Sequence, residues 1–243
     1  MKFIILGRSR TGSNFLRGLL NSCSGVKVFG EVFKNPEKVE WGIDGYRESK
    51  RARDQYLTDP AAFLQSEIFG KRSVDKSAVG FKLFYYHAQT EPWDRIWTSL
   101  LSDRTVHILH MKRKNILRTF LSRTRAGETD AWVRLSDNEE QPMPRIHLSY
   151  QECLSEFVQT RRQEQEFDLL FAEHPLLEIT YEDLSEDYSA ELCRIQKFLG
   201  LPQEDVKPTT YKQSRDSLDH AIVNYQELKA KFTDSPWATF FEE

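Results

Sequence analysis

The first twenty residues join an apolar run of strand length to a short loop and then to a segment with helical periodicity. The run is Phe3–Leu6, the loop is Gly7–Asn14, and apolar residues recur at helical spacing within Ser13–Asn21. A strand that turns directly into a helix points backbone N–H groups and a helix N-terminus at one place, and this arrangement suits a phosphate-like anion. The opening of the chain therefore predicts a strand–loop–helix unit with an anion site at the loop.

The loop nearly matches the Walker A sequence G-x-x-x-x-G-K-[ST]. Its two glycines have the required spacing, but Ser13 and Asn14 stand where that pattern has Lys and a hydroxyl residue. The cations of the loop are Arg8 and Arg10 instead. We therefore expect an anion other than a magnesium-bound nucleoside triphosphate.

Segments of strand character alternate with segments of helical periodicity along the chain. The predicted strands are Phe3–Leu6, Val26–Phe29, Val79–Phe84, Val106–Met111 and Leu176–Ile179. The predicted helices are Ser13–Asn21, Glu48–Leu57, Pro60–Phe69, Asn115–Arg125, Tyr150–Glu173, Tyr188–Leu199 and Asn224–Phe232. The alternation predicts an α/β fold with a parallel central sheet flanked by helices on both faces, and such sheets bind ligands at the carboxyl ends of their strands. A length of 243 residues without a linker-like break predicts a single domain over residues 1–243.

Composition argues against several classes of protein. The chain has 34 Lys and Arg against 37 Asp and Glu, a formal charge of −3, so a nucleic-acid partner is not expected. Cys23, Cys153 and Cys193 form no C-x-x-C pair, so we expect neither a disulfide framework nor a zinc site. No run approaches the roughly 20 apolar residues of a membrane span, and the expected location is cytoplasmic.

Two stretches have an irregular, polar composition. Ala126–Ile146 holds Gly127, two prolines and an acidic run, and a segment of this length inside one domain is expected to be either a mobile lid or disordered. Gln203–Asp219 is the second such stretch. The lid is a hypothesis that rests on length and composition alone.

Two charged residues lie where apolar runs predict the sheet. Glu31 follows the second run, between Gly30 and aromatic residues, where loss of water is expected to raise its pKa towards that of a general base. The competing interpretation is a solvated turn residue. Lys82 is a lone charge inside Val79–Phe84, which indicates either a paired functional lysine or an outward-facing residue of an edge strand.

The fourth apolar run ends in three successive cations, Lys112–Lys114, and leads into a predicted helix. A second cationic strand end predicts a second anion site, although such a run is more often a solvated face. His87 follows the third run and is a candidate acid or base. His107 and His110 are three residues apart in a strand and should face opposite sides, and the histidines show no metal-ligand spacing.

These motifs, taken in order, resemble those of sulfotransferases that use 3′-phosphoadenosine 5′-phosphosulfate (PAPS), of the bacterial carbohydrate or trehalose type and the Golgi type. Arg10-Thr-Gly-Ser-Asn-Phe-Leu16 is similar to their 5′-phosphosulfate loop, R-[ST]-G-S-[ST]-x-L, with Asn14 in place of a hydroxyl residue. Lys114-Asn115 with Ser122 resembles the 3′-phosphate motif. Because Arg113 comes one residue earlier, the resemblance leaves Arg113 and Lys114 as alternatives for the cation.

Further motifs extend the resemblance to about residue 184. Tyr181-Glu-Asp-Leu184 is similar to the family segment whose tyrosine lies against adenine. Gly30-Glu31 resembles the Gly-Glu pair in which the glutamate is the catalytic base. Lys82 matches the lysine of a Lys-Thr-His triplet found in the cytosolic branch, but Phe84 stands at the histidine position, and this favours Glu31 as the base.

The resemblance implies a three-layer sandwich like that of P-loop NTPases. It also implies transfer of a sulfuryl group from PAPS to a hydroxyl of a carbohydrate, glycolipid or other small molecule, without a metal. The implied catalytic residues are Glu31, Lys82 and Arg10. The implied donor-binding residues are Arg8, Ser9, Arg10, Thr11, Gly12, Ser13, Asn14, Arg113, Lys114, Ser122 and Tyr181. A homodimer is compatible with this interpretation; the alternatives are a P-loop kinase or NTPase and a non-catalytic nucleotide-binding protein.

Overall fold

A central parallel sheet organises the computed structural model, which describes residues 1–43, 48–71, 75–129, 143–208 and 216–242. Its strands are β1 Lys2–Gly7, β2 Val26–Phe29, β3 Ala78–Phe84, β4 His107–Lys112 and β5 Leu176–Thr180. They lie in the order β2-β3-β1-β4-β5, and every neighbouring pair is parallel. The prediction of an α/β fold with a parallel sheet is confirmed.

The three central strands end level with one another. Gly7 of β1 is paired with Phe84 of β3 on one side and with Met111 of β4 on the other. The chain moves outward from β1 to β2, returns to β3, and then crosses to β4 on the far side of β1. A reversal of this kind opens a crevice at the carboxyl end of the strand where it occurs, which is β1.

Helices cover both faces of this sheet. The helices are α1 Ser13–Ser22, α2 Lys50–Thr58, α3 Pro60–Phe63, α4 Arg95–Ser102, α5 Ile116–Thr129, α6 Tyr150–Leu170, α7 Tyr181–Glu186, α8 Tyr188–Phe198, α9 Leu218–Ala221 and α10 Tyr225–Phe232. A π-helical segment, Leu64–Lys71, follows α3, and a 3₁₀ helix, Ala238–Phe241, lies near the C-terminus. None of these helices is long and apolar enough to cross a membrane, for the residues described.

Alternate residues of the strands enter two separate cores. Phe3 and Ile5 pack with α1 and α8, whereas Ile4 and Leu6 pack with the aromatic cluster between β2 and α4. All four side chains are fully buried, which explains why β1 is a continuous apolar run and not an alternating one. A third core joins α5, α6 and α10 to the C-terminal segment and fixes α5 above the carboxyl edge of the sheet.

The helix predictions need correction at several places. The segment predicted as one helix over Pro60–Phe69 is a short α-helix followed by the π-helical turns, since apolar spacing does not distinguish the two hydrogen-bond patterns. Helix α4 was not predicted, although Ile96 and Leu100 are buried and four residues apart. Helix α5 continues to Thr129, so the segment predicted as irregular begins in a helix.

Residues 130–142 of the predicted lid lie outside the described residues, and so do residues 209–215 of the second irregular stretch. The two strand histidines face opposite sides as predicted: His107 packs on Phe198, whereas His110 contacts Tyr85 and Asp168 on the other face.

Candidate active site

The loop between β1 and α1 forms a concave backbone turn at the crevice. Arg10 and Gly12 have φ angles of 69° and 87°, in the left-handed region. Left-handed residues that interrupt right-handed backbone turn successive N–H groups towards one point and create an anion-binding concavity. Helix α1 starts at Ser13, and no side chain of the described residues caps its N-terminus. The loop N–H groups and the positive end of α1 therefore face the same space.

Glycine is required at position 12 for two independent reasons. Its φ of +87° disfavours other residues, and a Cβ there would lie 2.5 Å from the Tyr181 ring. Tyr181 is the first residue of α7, whose start is fixed because the Asp183 N–H donates to the Thr180 hydroxyl over 3.2 Å. The ring of Tyr181 thus closes one side of the loop.

One end of the crevice is lined by cations. Arg10 Nε donates to Ser122 Oγ over 2.9 Å, and Arg113 Nη1 donates to the Arg10 carbonyl over 3.1 Å. The Arg113 guanidinium lies over the Tyr181 ring, 4.5 Å from its centre. The structure therefore brings together four residues that are far apart in the sequence, in a cluster that we call the arginine end (Arg10, Arg113, Ser122 and Tyr181).

Arg113 and its neighbour Lys114 have different surroundings. Burial lowers the pKa of Arg113, and its Nε, though buried, makes no hydrogen bond to any residue that the structure describes. The nearest carboxylate, that of Glu182, is 3.7 Å away. Lys114 is exposed and forms an ion pair with Asp183, which raises its pKa. Of the two alternative cations, Arg113 faces the loop.

Asn115, which follows these cations, holds helix α5 in place. Its Oδ1 accepts the Arg118 N–H over 3.1 Å, which caps α5, and its Nδ2 donates to the Phe240 carbonyl over 2.9 Å. Ser122 lies two turns along the helix that begins here. By capping α5, Asn115 fixes the start of the helix directly after the cations and thereby fixes the position of Ser122 relative to them.

The other end of the crevice holds an ion pair that we call the base end, made by Glu31 and Lys82 with Asn14 beside them. Lys82 Nζ lies 2.9 Å from Glu31 Oε1 and 2.7 Å from Asn14 Oδ1. Lys82 belongs to the buried strand β3 and is only 3% exposed, so it is not an outward-facing residue of an edge strand. Its ammonium connects α1 to the carboxylate that follows β2.

The prediction that burial raises the pKa of Glu31 is wrong for the free protein. Burial does act in that direction, but Lys82, together with His87 and Lys34, outweighs it and holds the pKa below its ordinary value. Burial is also the largest influence on Lys82 and lowers its pKa, while Glu31 opposes that effect. The pKa shift could not be predicted because the ion-pair partner of Glu31 was unknown. The sequence does not show that strand β3 directs Lys82 at Glu31.

Gly30 places Glu31 at the mouth of the crevice. A Cβ on Gly30 would lie 2.9 Å from the Gly42 Cα atom, because the backbone of residues 40–42 crosses directly over it. The Gly30 N–H donates to the Trp41 carbonyl over 2.6 Å and fixes this crossing. The glycine therefore allows the chain after β2 to turn and present the Glu31 carboxylate to Lys82.

Two residues after β3 complete the mouth of the crevice. Tyr86 lies beside Ser9 of the loop, and 47% of the residue is exposed. His87 is 3% exposed, and its Nε2 lies 3.7 Å from Glu31 Oε2. Tyr86 was not singled out from the sequence; the available signal was its position directly after the carboxyl end of a buried strand.

Arg8 is placed differently from the rest of the loop. Its guanidinium donates to Glu156 Oε2 over 2.9 Å and to Gln163 Oε1 over 2.8 Å, both on α6. Arg123 also pairs with Glu156, so the carboxylate connects the loop, α5 and α6. Arg8 therefore fastens α6 to the loop.

In the part of the chain that the structure describes, no group of three or more His, Cys, Asp or Glu residues is arranged to hold a metal ion. Cys23, Cys153 and Cys193 are free thiols.

Comparison with known proteins identifies the family. The model of the sulfotransferase family matches residues 3–205. The chain is 28% identical to Nodulation protein H of Rhizobium tropici, over 99% of this chain and 92% of that protein. It is 25% identical to Nodulation protein H of Rhizobium meliloti strain 1021, over 99% of this chain and 94% of that protein.

A solved structure supports the fold. The crystal structure of a sulfotransferase from Alicyclobacillus acidocaldarius matches with a TM-score of 0.53 and 17% identity, over 99% of this chain and 94% of that chain. Its identity to this chain is low, so this likeness supports the fold alone. The family match covers most of the chain and includes both ends of the crevice, and the protein therefore belongs to the sulfotransferase family.

Proposed function

We propose that this sulfotransferase takes the sulfuryl group from PAPS and transfers it to a hydroxyl group of a carbohydrate or a related small molecule, with Glu31 as the general base. The observation that carries the proposal is the Glu31–Lys82 ion pair beside the N-terminus of α1. It provides a proton acceptor and a cation at the mouth of the loop that suits a phosphosulfate.

The arginine end fits the rest of the donor. A second anionic group needs cations and hydroxyl donors at some distance from the loop, and Arg113 and Ser122 supply both. The buried Nε of Arg113 makes no hydrogen bond to a described residue, with Glu182 Oε1 at 3.7 Å, and a 3′-phosphate would supply a hydrogen-bond acceptor for it. The Tyr181 ring offers an aromatic face beside these groups. We therefore assign the binding of the 3′-phosphate to Arg113 and not to Lys114, which pairs with Asp183 at the surface.

When bound, PAPS supplies a sulfuryl group attached to a phosphate oxygen, a good leaving group. Glu31 accepts the proton of the acceptor hydroxyl as the new O–S bond forms and the old S–O bond breaks. Lys82, Arg10 and the loop N–H groups stabilise the negative charge that develops on the leaving phosphate. Preorganised charges of this kind usually make the largest contribution to catalysis.

The low pKa of Glu31 in the free protein is compatible with this role. It keeps Glu31 as a carboxylate, the form that can accept a proton. An anion bound at the loop brings negative charge close to Lys82 and thereby opposes the effect of Lys82 on Glu31. Donor binding is therefore expected to raise the pKa of Glu31 and strengthen it as a base.

The decisive experiment incubates the protein with PAPS and a panel of mono-, di- and oligosaccharides that includes trehalose, with product detected by mass spectrometry. We expect a product heavier by one sulfuryl group. Glu31→Gln should lower its rate by roughly 10² to 10⁴, the usual contribution of a general base, whereas Glu37→Gln, a change at an exposed carboxylate, should leave it unchanged.

The same reactions test the two alternatives. Phosphoryl transfer from ATP in place of PAPS would indicate a kinase, although the loop has no Walker lysine. Binding of adenosine 3′,5′-bisphosphate (PAP) without turnover of PAPS on any acceptor would indicate a non-catalytic protein. A Glu31→Gln variant as active as the wild type would contradict the assignment of the base.

A further inference from the structure

His87 is a buried donor directed at the carboxylate of the base end. It follows strand β3 and is 3% exposed. Its Nε2 makes no hydrogen bond to any described residue, although Glu31 Oε2 is 3.7 Å away. A buried polar atom without a partner is unfavourable, so a group that hydrogen-bonds to it on binding would be favoured.

The backbone fixes which nitrogen of His87 carries the proton. The Phe84 N–H points at His87 Nδ1 over 3.2 Å. A backbone amide only donates, so Nδ1 is the acceptor and the neutral ring has its proton on Nε2. Protonation of Nδ1 would place two donors against each other. Burial, the largest influence, together with Lys82 and Lys34, lowers the pKa of His87 to about 4, and Glu31 only partly opposes this.

His87 Nε2 and Glu31 Oε2 are close enough for a single oxygen to contact both. At 3.7 Å the two atoms are too far apart for a direct hydrogen bond. An oxygen to one side of them, about 2 Å from the line that joins them, can lie about 2.8 Å from both. That atom must accept a proton from the His87 N–H and donate one to the carboxylate. A hydroxyl group does both, whereas an alkylammonium group cannot accept.

We propose that His87 binds the acceptor oxygen: its Nε2–H donates to the hydroxyl oxygen, while the hydroxyl proton points at Glu31 Oε2. This inference rests on the proposed function and refines it, because it selects hydroxyl acceptors over protonated amines and gives His87 a role as a fixed donor. His87 keeps its proton throughout; the proton of the acceptor goes to Glu31.

Two substitutions separate this role from a structural one. Asn places an amide oxygen near the position of Nδ1, so His87→Asn retains the contact with the Phe84 N–H but loses the donor towards Glu31. Gln places an amide N–H near the position of Nε2, so His87→Gln retains the donor. A structural role favours Asn, whereas the proposed role favours Gln. His174→Gln is the matched control, since His174 is also buried but lies at the opposite edge of the sheet, against the Val106 carbonyl.

Water can serve as the acceptor while the natural one is unidentified. The experiment measures sulfate release from PAPS in water, PAP affinity by calorimetry and thermal unfolding for the wild type and the three variants. We expect His87→Asn to lower sulfate release by about tenfold or more, the loss of one hydrogen bond, with PAP affinity retained, and His87→Gln and His174→Gln to keep most of the rate.

The pH profile provides a second readout. His87 is surrounded by Glu31, Lys82 and Lys34 and is neutral above about pH 4. Its titration should therefore not affect the rate above that pH, and the pH–rate profiles of the wild type and His87→Gln should have the same shape. Equal rates for wild type and His87→Asn, or a higher rate for His87→Asn than for His87→Gln, would overturn the inference and leave the proposed function standing. A wild-type protein that binds PAP, but neither releases sulfate from PAPS in water nor transfers a sulfuryl group to any saccharide of the panel, would contradict both the inference and the proposed function.

Discussion

Glu31 and Lys82 show why the residues of this site could be named from the sequence while their electrostatics could not. The apolar run around Lys82 and the glycine before Glu31 mark both as unusual. Their contact depends on the pairing of β2 with β3, which places the end of one strand beside the middle of the next. The sign of the pKa shift on Glu31 follows from that contact and therefore required the structure.

At the base end, donor binding should change the pH dependence of the reaction. The free protein holds the pKa of Glu31 below its ordinary value, and a bound anion near Lys82 should raise it. Activity requires the carboxylate, so the rate falls as pH falls through this pKa. The acid limb of kcat, which reports the loaded enzyme, should therefore lie at higher pH than that of kcat/KM for PAPS. If the two acid limbs coincide, or if the limb of kcat lies at lower pH, the proposal that a bound anion weakens the effect of Lys82 on Glu31 is contradicted.

At the arginine end, the two neighbouring cations should differ in their effect on donor affinity. Arg113→Gln removes a buried guanidinium beside the loop and should weaken PAP binding by about tenfold or more, while binding of adenosine 5′-monophosphate changes little. Lys114→Gln breaks only an exposed ion pair and should leave both affinities unchanged. Calorimetry checks both variants, with thermal unfolding as the control for folding. A larger loss of PAP affinity in Lys114→Gln would reverse the assignment.

The strand–loop–helix element joins the two ends of the site. Its glycine at position 12 allows the left-handed turn and leaves room for the Tyr181 ring. Gly12→Ala should therefore abolish detectable PAP binding, because the strained turn and the displaced ring both disturb the loop. Gly127→Ala is the control: Gly127 lies in α5 with no atom near its missing Cβ, and the change should stabilise the protein by about 0.5–1 kcal/mol. Normal PAP affinity in Gly12→Ala would contradict this account of the loop.

The elements themselves were predictable in proportion to their burial. Strands β1 to β4 are largely buried, so most of their residues are apolar and each strand stands out in the sequence. The short helices α7 and α9 have little periodicity and were missed. The contact of Arg8 with Glu156 could not be predicted either, since a position in a phosphate-type loop says nothing of a helix about 150 residues later. The role of Arg8 in donor binding stays a prediction.

At the scale of the whole molecule, a relay of hydrogen bonds that starts from the buried Tyr85 and His110 connects the sheet to α6. The Tyr85 hydroxyl donates to His110 Nε2 over 2.6 Å, and His110 Nδ1 lies 2.8 Å from Asp168 Oδ1, with Lys112 paired to the same carboxylate and to Glu178. His110 is completely buried, and burial, the largest influence, lowers its pKa to about 4 from 6.5. The neutral form therefore belongs to the folded state.

This relay predicts the direction in which stability changes with pH. Between about pH 6.5 and 4 the unfolded chain binds a proton at His110 that the folded protein does not, so the free energy of unfolding falls as pH falls. Each such histidine contributes a slope of about 1.4 kcal/mol per pH unit, and His87 acts in the same window. His110→Gln should remove the contribution of one histidine from this slope. His220→Gln, at an exposed position, should leave the slope unchanged. Urea unfolding across this range checks it; an unchanged slope in His110→Gln would show that the relay does not exclude the proton.

The most direct test of the account is the fate of PAPS in a single reaction with wild-type protein and the saccharide panel, followed by mass spectrometry. The account predicts an acceptor heavier by one sulfuryl group and at least one PAP formed for each, with product formation slowed roughly 10²- to 10⁴-fold in Glu31→Gln and unchanged in Glu37→Gln. Intact PAPS, together with phosphoryl transfer from ATP to the same acceptors, would contradict it.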